Sequence, residues 1–112
     1  MKTLSLNISE RYYALTILND FKGNIEKLAT ILEDIKQFSI SEEDWKKANR
    51  KIETAGEDKV TWTWNDEAAG LKEITVNDST GVYLADTIKS RSDKGELTVQ
   101  DRVAIELMNK LK

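Results

Sequence analysis

The sequence predicts an α+β fold: a helical hairpin plus a short helix, a central β-hairpin, then two C-terminal helices. Apolar residues recur at helical spacing between Ile8 and Phe38. The stretch Val60-Thr-Trp62-Thr-Trp64 switches to strict alternation, and helical spacing returns after Gly81. The chain of 112 residues has the size of one domain, so a single domain over 1–112 is expected.

Asn7 followed by Glu10 fits a capping box, and Ser9 is an equally good N-cap. Ile8, Tyr12, Leu15, Leu18 and Phe21 follow, so a helix is expected over 8–22. Gly23 is placed to end it in the left-handed conformation, and Asn24 to cap the next helix. There Ile25, Leu28, Ile31, Leu32, Ile35 and Phe38 form a broad apolar stripe. Glu26, Lys27, Glu33, Asp34 and Lys36 take the polar face. The short junction between the helices makes them an antiparallel hairpin. A third helix is expected over 42–49, opened by Ser41 with Asp44 or by Ser39 with Glu42. Acids fill its first turn, Lys46, Lys47 and Arg50 come later, and Trp45 anchors it.

Residues 60–64 read as a half-buried strand, 65–70 as a loop and 71–76 as a second strand completing a hairpin. Residues 51–54 offer an outer strand that turns through Ala55-Gly-Glu-Asp58. A two-stranded hairpin is marginal in water, so this sheet must lean on helices. Asn77-Asp-Ser-Thr-Gly81 is rich in turn and cap residues. A helix is expected from Val82 to about Arg91, broken by Ser92-Asp-Lys-Gly95. Thr98 caps the last helix, whose stripe is Val99, Val103, Ala104, Leu107, Met108 and Leu111.

The catalytic vocabulary is narrow. With neither cysteine nor histidine, the chain has no disulfide, thiolate nucleophile, imidazole base or Cys/His zinc pattern. Neighbouring acids at Glu42-Glu43-Asp44 and Asp66-Glu67 normally point apart into water, and their spacing shows no facing pair for general acid–base work. The glycines at 23, 56, 70, 81 and 95 form no phosphate-cradling loop. Ser90 to Asp101 has the length of a calcium loop, but Lys94 stands where its third ligand belongs. No enzyme activity, cofactor or metal is expected, and function is expected to come from surface recognition.

The net charge of −3 argues against a general nucleic-acid binder. Between Glu53 and Glu73, six acids face two lysines, a local charge of −4. This is either a solvated surface or an acidic face for a basic partner. Trp62 and Trp64 project from one strand face, and Trp45 precedes them; each is a core residue or an interface anchor. Tyr12 and Tyr13 are adjacent on one helix, so at most one sits fully in the core. The candidate partner-binding residues are therefore Trp45, Trp62, Trp64, Asp66, Glu67 and Tyr13. A protein partner is expected. Nucleic acid is the alternative, by acidic mimicry or through Lys46, Lys47, Arg50 and Lys51, and a homo-oligomer built on an apolar helix face is a third reading. No apolar run reaches membrane-spanning length, and the first residues lack a signal-peptide core, so a cytoplasmic setting is expected.

Several segments occur in a telling order: Ile8-Ser-Glu-Arg11, Leu15 and Leu18, Gly23, the leucine- and isoleucine-rich second helix, Ile40-Ser-Glu-Glu-Asp44, Thr63-Trp-Asn65, Lys72-Glu-Ile74 and Gly95-Glu-Leu-Thr98. Across nearly the whole chain this order resembles a group of small phage- and prophage-encoded proteins of unassigned function. The resemblance implies a bacterial cytoplasm during phage growth and carries over no catalytic residue; the protein partner expected from the acidic segment and the tryptophans is one of host or phage origin.

Overall fold

The computed structural model describes residues 1–54 and 60–111. The fold is α+β. Its elements are β1 (Lys2–Leu6), α1 (Ile8–Leu18), α2 (Ile25–Phe38), α3 (Glu42–Lys47), β2 (Lys51–Thr54), β3 (Val60–Thr63), α4 (Asp66–Ala69), β4 (Lys72–Val76), α5 (Asp78–Asp93) and α6 (Val103–Leu111). A 3₁₀ turn at Val99–Asp101 precedes α6.

Strand pairing differs from the expected hairpin. β3 does not pair with β4; β2 pairs antiparallel with β3, Ile52 opposite Trp62. β4 pairs instead with β1, a strand the sequence reading left unassigned, with Leu4 opposite Ile74 and Lys2 opposite Val76. The cause lies in 65–70, which is not a plain loop. Asn65 accepts from the N–H groups of Glu67 and Ala68, and this cap starts the short helix α4. Gly70 ends α4 at a φ of +75°, which favours glycine, and the chain leaves β3 behind. The expected turn at 55–58 lies outside the described residues.

Leu4, Leu6, Ile74 and Val76 form the buried face of the β1–β4 sheet, under Ala14, Ile17 and Leu18 of α1, Ile31 and Phe38 of α2, Leu84 and Ile88 of α5, and Ala104, Leu107 and Leu111 of α6. Thr3, Ser5 and Glu73 face solvent, the alternation of a sheet covered on one side. A smaller core holds Ile8, Trp45 and Ala48, with Ile40, Trp64 and Ala69 against it.

Helix boundaries bring further corrections. α1 begins with the Asn7–Glu10 capping box and ends at Leu18, not near residue 22. Tight turns from Asp20 to Ile17 and Phe21 to Leu18 close it, so Gly23 does not act as a left-handed cap. A Cβ at Gly23 would meet the Phe21 ring at 2.7 Å, which is a steric reason for glycine there. α3 uses the Ser41–Asp44 pair and stops at Lys47. α5 starts at Asp78, earlier than expected, and absorbs Gly81, where a Cβ would crowd the Lys2 side chain at 3.2 Å. The last α-helix begins at Val103, behind the 3₁₀ turn, rather than at Thr98.

Asp34 is not on a solvated face but buried. It accepts from Asn77 N at 3.1 Å, from Asn77 Nδ2 at 3.2 Å and from Thr80 Oγ1, and so caps α5 from a distance. Asn77 makes no side-chain cap bond of its own. Burying Asp34 turns the apolar stripe of α2, so Ile31 and Phe38 face the core while Ile25, Leu28 and Leu32 stay exposed. Among the described residues, no helix is long and apolar enough to cross a membrane.

Candidate functional site

Five of the predicted site residues, Trp45, Trp62, Trp64, Asp66 and Glu67, lie at one corner around the smaller core, while Tyr13 packs against the larger one. α3 positions the first of them. The Ser41 hydroxyl accepts from Asp44 N at 3.1 Å while the Asp44 carboxylate accepts from Ser41 N at 3.2 Å. This box sets the first turn and aims Trp45, the fourth residue of α3, inward, where it is 7% exposed. After α3 the chain reverses through Asn49, at a φ of 55°, and Arg50 donates its backbone N–H to Trp45 O at 3.1 Å. That reversal places β2 and β3 beside α3. Asn65 N donates to Ala48 O at 2.7 Å and pins the exit of β3 to the end of the helix.

Three tryptophans then meet edge to face. The Trp45 ring lies 5.1 Å from Trp64 and 6.3 Å from Trp62, centroid to centroid, at interplanar angles of 69° and 88°. Their exposure rises outward. Trp45 is buried, Trp64 is half-buried, and Trp62 is 48% exposed. Arg50 covers the pair on the outside. Its guanidinium sits 4.8 Å from the Trp62 centroid and 5.1 Å from that of Trp45, and an ion pair with Glu42 at 3.4 Å holds it there.

Trp64 and Asp66 serve the scaffold. Trp64 Nε1 donates to Asp66 Oδ1 at 3.0 Å and to Ser9 Oγ at 3.1 Å. Asp66 also accepts from Ser9 N at 3.0 Å and from the Ser9 hydroxyl. The carboxylate thereby sits in the first turn of α1, where the helix dipole favours a negative charge, and locks α4 to α1. Glu67, its neighbour, is exposed. Of the two tyrosines, Tyr13 is half-buried against the larger core and accepts from Arg91 at 3.4 Å. Tyr12 is the exposed one, its ring 6.0 Å from Trp64.

The acids and bases here are largely paired. Arg11, buried, donates to Ser39 O at 3.1 Å and to Asp44 Oδ2 at 3.4 Å. Partial burial pushes the Asp44 carboxyl up, but the bonds from Ser41 and the Arg11 guanidinium outweigh it and hold the group below the usual aspartate value. In the basic run, Lys47 meets Glu43 at 3.7 Å and Arg50 meets Glu42. Among the described residues, no group of three or more acids could hold a metal ion.

Sequence reasoning missed Arg50 as a member of the aromatic cluster, taking it for a helix-end cation. Its spacing of five from Trp45 was the available signal, but only the reversal at Asn49 brings the two together. No family model, curated protein or solved structure matches the chain.

Proposed function

We propose that the chain is a small non-enzymatic accessory protein that acts in the bacterial cytoplasm by binding another protein, of host or phage origin. The observation that carries this reading is the half-exposed Trp62 ring, flanked by Arg50 and backed by buried Trp45. Tryptophan and arginine are enriched at the energetic centres of interfaces, where a rigid aromatic loses little freedom on binding. Exposed Tyr12 continues the aromatic surface on the other side of Trp64. The ion pairs of Lys47 and Arg50 favour this reading over direct nucleic-acid binding by the basic run.

The test is affinity purification from host cells with the wild-type chain and Trp62→Ala as parallel baits, read by mass spectrometry. A protein enriched by the wild type and lost with Trp62→Ala is the expected result. An identical set of captured proteins from a folded variant would refute the assignment.

A further inference from the structure

The chain has four arginines. Arg11 and Arg50 each meet a carboxylate at 3.4 Å. Arg91 and Arg102 form no ion pair within 4.0 Å among the described residues, although the chain has more acids than bases. Both line the same cleft of about 710 Å³, bounded by Tyr12, Tyr13 and Trp64 on one side and the turn before α6 on the other.

Asp101 is the one acid among the residues lining this cleft. Its carboxylate accepts from Thr98 N at 3.0 Å and from Thr98 Oγ1 at 3.2 Å. The Thr98 backbone bond, the largest influence, outweighs desolvation and, with the Thr98 hydroxyl, Tyr13 and the charge of Arg91, holds it below the usual aspartate value. It stays ionised and offsets part of the charge of Arg91. The lining still carries a net charge of +1 in a chain of −3. A guanidinium has five N–H donors, and Arg91 donates one bond, to Tyr13. Arg102 is exposed.

We propose that this cleft binds the carboxylates of an acidic peptide segment of a partner protein, with an aromatic residue of that segment against Tyr12 and Trp64. The proposal rests on the reading of the chain as a protein-binding module. Arg91 and Arg102 stand on separate elements, α5 and the segment before α6, which suits charges distributed along a peptide. The cleft has the size of a ligand site, and exposed Val99 extends its rim with apolar surface.

The experiment is an NMR titration of the full chain with the peptide acetyl-Glu-Asp-Phe-Glu-Asp-amide. The comparators are the same peptide with lysine at the four acidic places, and adenosine monophosphate. The acidic peptide is expected to shift the Arg91, Arg102 and Trp64 side-chain signals with a Kd below about 1 mM. Arg102→Glu is expected to weaken it at least about tenfold with an unchanged melting temperature. No shift at about 1 mM, equal binding of the lysine peptide, tighter binding of the nucleotide, or full affinity in Arg102→Glu would each overturn the proposal. Such a failure with Trp62-dependent capture intact removes the cleft alone. Peptide binding without any Trp62-dependent capture removes the Trp62 surface alone.

Discussion

Asp34 and Asp44 are carboxylates whose value to the fold depends on what each one caps. Asp34 closes the start of α5 from the neighbouring helix through Asn77 and Thr80. Asp34→Ala leaves those buried donors without an acceptor, and the expected loss is about 2–3 kcal/mol in urea denaturation. Asp34→Asn, which keeps one acceptor, should lose less. Asp44 acts through its charge. Its folded pKa is depressed, so its contribution is present above the unfolded value of about 4 and is lost as pH falls through the folded value. The wild-type melting temperature should therefore fall below about pH 4 more steeply than that of Asp44→Asn. Neither role was legible in the sequence. Asp34 sits among Glu33 and Lys36 and reads as part of a solvated face, because a tertiary cap leaves no local signature. The capping half of Asp44 was legible, since Ser41 lies three residues before it, whereas its ion pair spans 33 residues to Arg11.

Local caps made the starts of α1, α2 and α3 readable, since Asn7, Asn24 and Ser41 each bond to a backbone N–H within the next three residues. Periodicity did less for α1, where Tyr12 of the expected stripe is exposed while Arg11, Ala14 and Ile17 are buried. Strand partnership is non-local and was not readable in the same way. β1 contributes only Leu4 and Leu6 to the core, too short an alternation to stand out, yet it is the partner of β4. The alternation of Thr3, Leu4, Ser5 and Leu6 was the one available signal. Lys110 Nζ adds a bond to Ser5 O at 2.8 Å and an ion pair to Glu10 at 2.6 Å, so α6 braces this strand. Leu6 is fully buried, and Leu6→Ala is expected to cost about 2–5 kcal/mol, measured by urea denaturation. A cost below about 1 kcal/mol would show that β1 does not belong to the core.

Two cores share one helix. Ile8 at the start of α1 belongs to the smaller one, and Ala14, Ile17 and Leu18 belong to the larger. Asp66 and Trp64 both bond to Ser9 at the start of that helix, so damage to the aromatic corner reaches the whole molecule through α1. The sequence identified all three tryptophans and left each between core and interface. What divides them is three-dimensional: Trp45 lies under Arg50 and between its two partners, while Trp62 has solvent on one side. Trp45→Ala is accordingly expected to cost about 3–5 kcal/mol, and Trp62→Ala, half-exposed already, clearly less. The decisive measurement is the affinity of a captured partner for Trp62→Ala, titrated against the wild type under conditions where both are folded. A loss of at least about tenfold with native spectra retained is the expected result. Wild-type affinity in that variant would contradict the account, because recognition would then take place elsewhere on the molecule.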